Sequence, residues 1–198
     1  MLKKIRLRTR QIPQSFSLNI ICRAIKIVTN LQACDTIKNK KGSDTKMKVL
    51  IFSDSHRSFN PMMKAVETEG DADRLIHAGD VHSDVEDLLI MYPHMPIAFV
   101  KGNNDPFLHD VPTDRFFTLD GVKIFLTHGH NYGVKYSLSK LYQKANELGA
   151  DICIFGHTHS AHNEKIGNII MFNPGAAHKS YGILEITAGE PRLKVKEI

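Results

Sequence analysis

The sequence predicts one α+β domain over residues 47–198, a mixed β-sheet system with helices on its outside, preceded by a basic extension over residues 1–46. Three observations carry this. Strand, loop and helix signals repeat through the first part of the domain, an Asp-Gly hairpin follows, and the last third is rich in strand signals.

Lys48-Val49-Leu50-Ile51-Phe52-Ser53 is a mostly apolar run ending in Asp54, as expected of a buried strand whose C-terminal end opens into a functional loop. Asn60-Pro61 supplies a helix cap and first-turn proline, Met62, Met63 and Val66 fall at helical spacing, and Gly70 supplies the stop. Arg74-Leu75-Ile76-His77 is a short strand running into Gly79-Asp80, and a helix is predicted from about Ser83 to Met91. Ile97 to Val100 forms a further strand, ending at Gly102-Asn103-Asn104-Asp105. Phe116 to Leu119 and Val122 to Leu126 flank Asp120-Gly121, the dipeptide that most readily takes the positive φ angles of a type I′ turn. Leu138, Leu141, Tyr142, Ala145 and Leu148 mark one helix face, which Gly149 can terminate. Ile152 to Phe155 is a strand delivering Gly156-His157-Thr158-His159, and strands follow over Ile169 to Phe172, Gly182 to Ile186 and Arg192 to Val195. The chain shows no repeats and no low-complexity segment.

With 198 residues, 42% hydrophobic and 24% charged, the chain can bury a good core in one domain. Cys22, Cys34 and Cys153 lack paired spacing, so neither a disulfide framework nor a thiolate zinc site is indicated, and a reducing, cytoplasmic setting fits best. Asn19, Arg23 and Lys26 break the apolar stretch from Leu18 to Val28, and no later run approaches the about 18 apolar residues that a bilayer span requires. The net charge of +5 divides unevenly. Residues 1–46 carry 11 Lys+Arg against Asp35 and Asp44, a balance of +9, whereas residues 47–198 carry 15 against 19 acidic residues, or −4. A basic nucleic-acid-binding surface on the domain therefore cannot be argued from the global charge.

The extension can be a basic arm, an organelle transit peptide, or the product of a start codon set too far upstream. The last reading is favoured. Lys41-Gly42-Ser43 can be encoded by an AAGGGAG-like string, which resembles a bacterial ribosome-binding site a short distance before Met47. The intact mass of the protein from its native host reads this directly.

Five strand ends carry groups able to bind metal: Asp54-Ser55-His56, Gly79-Asp80, Gly102-Asn103, Thr127-His128-Gly129-His130 and Gly156-His157-Thr158-His159. In Asp-x-His and His-x-His a non-strand loop lets alternate side chains converge on one ion, and an adjacent glycine lets the backbone approach closely. Imidazole and carboxylate without thiolate suit manganese, iron or zinc better than calcium. A dinuclear centre also needs a bridging carboxylate, and a lone aspartate such as Asp80 is the natural bridge. Taken singly, each motif favours a plainer origin, since Asp-x-His is usually an incidental loop pair and Gly-Asp is common in turns. All five in order, each at the end of a strand, are hard to obtain by chance.

In this ordered set, with Ala78-Gly79-Asp80-Val81, Gly102-Asn103-Asn104-Asp105 and Phe172-Asn173-Pro174-Gly175, the chain resembles the calcineurin-like metallophosphoesterases, and most closely their small YfcE-like phosphodiesterase branch. The resemblance runs from Met47 essentially to the C terminus. It implies a four-layer fold, two mixed β-sheets packed as a sandwich and flanked by helices, with the site at the strand ends. It also implies that Asp54, His56 and His159 hold one divalent ion, that Asn103, His128 and His157 hold another, and that Asp80 bridges them. Manganese is the first expectation, with zinc, iron(II) and nickel as alternatives. Two such ions lower the pKa of a bridging water and neutralise the phosphoryl oxygens during in-line attack, so no protein nucleophile is needed.

Asn103 and Asn104 are the candidate substrate contacts. The Asn103 amide oxygen can ligate metal while its NH₂ donates to phosphate. Many relatives carry histidine where this chain has Asn104, and an amide cannot protonate a leaving alkoxide, so diesters or activated esters are expected to be preferred over simple alkyl monoesters. His130 and Asp105 are candidates for supporting the ligands, although a plain loop residue at His130 and a turn or helix cap at Asp105 fit equally well. His77 is expected inside the sheet as a satisfied core histidine, and His82, His94, His109, His162 and His178 on the surface. The expected partner is a small phosphate ester, with no membrane or nucleic acid; a homo-oligomer is compatible with the sequence. Two rival functions stay in view. The retromer complex contains a subunit of this fold that serves mainly as a binding surface, and a scaffold of that kind should have lost ligands. Nucleic-acid binding through the basic extension would show as a salt dependence that disappears with residues 1–46.

Overall fold

Alternation along the first strand shows how the layers are built. In the computed structural model, which describes residues 46–198, β1 (Met47–Phe52) turns Val49 and Ile51 to one side and Leu50 and Phe52 to the other, and all four are fully buried. Burial on both faces marks a central strand covered from two directions. The extension, apart from Lys46, lies outside the described residues, as do Cys22 and Cys34. Among the described residues no helix is long and apolar enough to cross a membrane.

From β1 the chain continues through α1 (Phe59–Glu69), β2 (Arg74–His77), α2 (His82–Met91) and β3 (Ile97–Phe99). It then forms the hairpin β4 (Asp114–Leu119) and β5 (Val122–Thr127), α3 (Ser139–Glu147), β6 (Ile152–Ile154), β7 (His162–Ile166), β8 (Ile169–Asn173), β9 (Ser180–Thr187) and β10 (Glu190–Glu197). The strands make two five-stranded mixed sheets, ordered β10-β9-β1-β2-β3 and β4-β5-β6-β8-β7. β1, β2 and β3 run parallel in the first sheet, and β5, β6 and β8 run parallel in the second.

The expected sandwich is present. Val49, Ile51 and Ile76 of the first sheet share one apolar core with Ile124, Leu126, Ile152 and Ile154 of the second. The outer face of the first sheet, with Leu50, Phe52 and Leu75, is covered by Met62, Ala65 and Val66 of α1 and by Val85 and Leu88 of α2. Phe125, Cys153 and Met171 on the outer face of the second sheet meet Leu141 and Ala145 of α3. Asp120 and Gly121 take φ values of 45° and 85°, the pair of positive angles expected of the hairpin turn.

Strand β7 was not among the sequence expectations. Its residues are mostly solvent-facing and polar, so apolar alternation is missing, and it pairs antiparallel with β8 at the sheet edge. The Gly167-Asn168 dipeptide between Ile166 and Ile169 was the available signal.

Glu69 ties α1 to both β1 and the β9–β10 hairpin. Its carboxylate accepts from Tyr181 Oη at 2.8 Å, Lys196 Nζ at 2.8 Å and Lys48 Nζ at 2.6 Å. Burial opposes its charge, but these donors prevail and hold its pKa down, from 4.5 to about 2. A depressed carboxylate stabilises the fold above its unfolded pKa, and that stability is lost as pH falls through the folded one. Glu69→Gln is therefore expected to cost about 2 kcal/mol at neutral pH, with the difference from wild type vanishing between pH 4.5 and about 2 in urea melts. A constant difference across that window would remove the ionic account.

Candidate metal centre

The parallel strands deliver their C-terminal loops to one place. Asp54 and His56 follow β1, Asp80 follows β2, Asn103 follows β3, His128 follows β5, and His157 and His159 follow β6. Donor atoms of Asp54, His56 and His159 all lie within 4.8 Å of one another, and so do those of Asp54, Asp80 and His128.

Asp54 is fully buried, and its carboxylate accepts from Ser53 Oγ at 2.7 Å and from the His157 N–H at 3.0 Å. His159 Nε2 lies 3.3 Å from Asp54 Oδ1 and 3.2 Å from His56 Nε2. Two imidazole nitrogens facing each other beside a buried carboxylate form a cradle for a cation. In the second cluster the fully buried His128 donates from Nδ1 to the Ala78 carbonyl at 2.8 Å, which turns Nε2 toward Asp80 Oδ2 at 3.3 Å and Asn103 Oδ1 at 3.1 Å. Burial disfavours charge on both Asp80 and His128, yet their contact draws the Asp80 carboxyl well below the usual carboxylate range and raises the His128 imidazole. Asp80 Oδ2 also lies 3.9 Å from His56 Nε2, so one oxygen faces an imidazole of each cluster. Asp54 Oδ1 likewise lies 3.9 Å from His128 Nε2. The ring of His157 stands nearly edge-on to that of His128, with centroids 5.1 Å apart. Burial and the positive field of His128 push its pKa down to about 4, leaving the imidazole neutral and able to ligate at neutral pH. The donor types, their buried carboxylates and their convergence fit divalent ions.

The loops achieve this with backbone that side chains rarely adopt. Asp54, His56, Asp80, His157 and His159 all have positive φ, from 45° to 68°, and Val81 has a φ of 75°. Such conformations cluster where surrounding structure over-determines them for function. Glycines make room: a Cβ on Gly102 would meet Asp80 Oδ1 at 1.8 Å, and one on Gly156 would meet Ser53 Oγ at 1.9 Å.

The remaining expected residues divide. Asn104 does not face outward as a free amide: its backbone N–H donates to Asp80 Oδ1 at 3.0 Å and its Nδ2 to Asp80 Oδ2 at 2.9 Å. Asp105 accepts from the Gly102 N–H at 3.0 Å and from the N–H of His82, the first residue of α2, at 2.9 Å, which ties the loop after β3 to the start of α2. His130 opens a short 3₁₀ turn, and its ring lies 5.4 Å from that of His128 and 6.1 Å from that of His157. His77 is a satisfied core histidine, contacting Ser55 Oγ through Nε2 at 3.2 Å and accepting from the Gly79 N–H through Nδ1 at 3.2 Å. His94, His109 and His178 are exposed as expected. His82 and His162 are not. Both are half-buried, with rings 5.1 Å from Phe99 and 5.9 Å from Phe155, because strand ends bring those aromatics beside them.

Further polar contacts brace the ligand loops, from Ser55 and Asn173 within the quoted motifs and from Asp84 outside them. Ser55 Oγ donates to the Asp80 carbonyl at 3.1 Å, Asp84 Oδ2 accepts from the Arg57 N–H at 2.8 Å, and Asn173 Nδ2 donates to the Gly156 carbonyl at 3.0 Å. All three residues are buried, and short polar side chains beside apolar strands were the signal, since a buried polar group requires a partner.

Comparison with known proteins gives this arrangement its lineage. The model of the calcineurin-like phosphoesterase superfamily domain matches residues 47–189. The chain belongs to that superfamily. Among curated proteins it is similar to the probable metallophosphoesterase YsnB of Bacillus subtilis, at 38% identity over 149 residues, covering 71% of this chain and 85% of that protein. It is also similar to the phosphodiesterase YfcE of Escherichia coli, at 30% identity over 169 residues, covering 70% and 88%. Vacuolar Protein Sorting 29 of Cryptosporidium parvum superposes with a TM-score of 0.62 at 18% identity, covering 78% of this chain and 99% of that one, a likeness of fold alone. The superfamily is one of phosphoesterases that use divalent metals, and this chain carries candidate donor groups for them.

Proposed function

We propose that the chain is a dinuclear phosphodiesterase of the cytoplasm, manganese-dependent, acting on a small phosphate ester. The convergence of two donor clusters on the carboxylates of Asp54 and Asp80 carries this reading. Asp54, His56 and His159 would hold one ion, Asn103, His128 and His157 the other, and Asp80 would join them. When bound, the ions supply Lewis acidity, neutralising the phosphoryl oxygens and acidifying water. The residues prepare that site. Ser53 and the His157 N–H orient Asp54, and the Ala78 carbonyl fixes the tautomer of His128 so that Nε2 faces the cluster. The Asn103 oxygen faces His128, leaving its NH₂ to donate to phosphate.

Substrate preference follows from the loop after β3. Asn104 cannot protonate a departing alkoxide, which costs roughly a hundredfold or more for poor leaving groups and far less for good ones. A matrix of metals against an aryl diester, an aryl monoester and an alkyl monoester, run on the full chain, is expected to give turnover of the aryl esters and almost none of the alkyl monoester. Equal rates on aryl and alkyl monoesters would refute the preference. A scaffold of the same fold is the rival, and it is disfavoured because every position assigned to metal keeps a coordinating side chain.

A further inference from the structure

Asp80 has an unusual companion for a carboxylate assigned to join two ions. Its Oδ1 accepts the Asn104 backbone N–H at 3.0 Å and occupies space that a Cβ on Gly102 would fill. Its Oδ2 faces His128 Nε2 at 3.3 Å and His56 Nε2 at 3.9 Å, and it also accepts the Asn104 side-chain amide at 2.9 Å. The amide therefore sits on the Asp80 oxygen that looks toward both clusters. A carboxylate oxygen offers about two lone-pair directions. Two ions held from the His56 and His128 sides would take up those directions, leaving the Asn104 side-chain amide without an acceptor there.

We infer that divalent ions displace the Asn104 amide from Asp80 and that the freed amide then holds the substrate phosphate, so that one side chain couples ion loading to substrate binding. The inference rests on the reading of Asp80 as the bridge. Only the side chain has to turn. The backbone N–H of Asn104 keeps its bond to Oδ1, so the loop stays anchored while the amide rotates. Asn104 is solvent-exposed, which allows the amide to swing without opening the core, and an NH₂ no longer committed to Asp80 can donate to a phosphate oxygen. Before the ions arrive the same bond gives Asp80 Oδ2 a neutral donor, a reason for asparagine at a position where a cationic side chain would compete with the ions outright.

The test uses the full chain and its Asn104→Ala variant, with Mn²⁺ binding measured by titration calorimetry and turnover of an aryl diester measured at saturating Mn²⁺. Removing the competing bond is expected to tighten Mn²⁺ binding by about tenfold or more, the equivalent of about one hydrogen bond to a charged group. The same variant is expected to raise KM for the diester by about tenfold, with the loss read in KM rather than kcat. A variant that binds Mn²⁺ no more tightly than wild type, or that keeps the wild-type KM, overturns the exchange. A wild-type chain that takes up no Mn²⁺ overturns the metal centre and the exchange together.

Discussion

Asp80→Asn is expected to reduce phosphodiester turnover by roughly a thousandfold or more, beyond the 10–100-fold typical of residues that only support a ligand. The substitution preserves shape and the contact with the Asn104 N–H, and it removes one negative charge from a buried position facing both clusters. That charge helps raise the pKa of His128, together with Asp54, and it lies 3.9 Å from His56 Nε2. Metal stoichiometry measured on the same protein should fall below two ions per chain. Undiminished hydrolysis with full stoichiometry would refute the assignment of Asp80 as the bridge.

Gly102→Ala is expected to be comparably severe and to reveal itself in stability as well. The new methyl carbon would lie 1.8 Å from Asp80 Oδ1, 2.5 Å from the Asp80 backbone nitrogen and 2.6 Å from its Cγ. The nitrogen belongs to the backbone, and the carboxylate is held by the N–H groups of its neighbours, so neither can simply rotate away. Overpacking of this kind costs about 1–3 kcal/mol where surroundings can give, and more where they cannot. A loss of about 3 kcal/mol in urea unfolding, with diester turnover falling at least about a hundredfold, is the expected pair of results. Gly121→Ala provides the contrast. Its φ is 85° and nothing lies within 4 Å of the added carbon, so only backbone strain of about 1–2 kcal/mol should appear, with turnover unchanged. If both alanines behaved alike, crowding at Asp80 would not be the cause.

Much of the site was legible because its ligands are tied to strand ends, and strand ends are marked by apolar runs that stop at Asp54, Gly79, Gly102, His128 and Gly156. What the runs do not report is which side chains meet across them. The contact of Ser55 with His77 joins residues 22 positions apart, and it exists because β1 and β2 lie parallel in register. The half-burial of His82 depends on Phe99 arriving from β3, and the hold of Asn104 on Asp80 depends on two loops meeting from neighbouring strands. Strand β7 was hidden for another reason: an edge strand pairs through its backbone, so its side chains need no pattern.

The two sheets face each other through Val49, Ile51 and Ile76 on one side and Ile124, Leu126 and Ile154 on the other, none of them a candidate ligand. Yet His56 and Asp80 stand on the jaws of one sheet, and His128, His157 and His159 on those of its opposite. The sandwich is thus a calliper. The thickness of its aliphatic filling sets the gap that the imidazoles and carboxylates must span, and because a close-packed interior barely compresses, that gauge holds its setting. Even the loss of one methylene from an interlayer isoleucine would then register at the jaws as a change of bite, in a residue that touches neither ion nor ester.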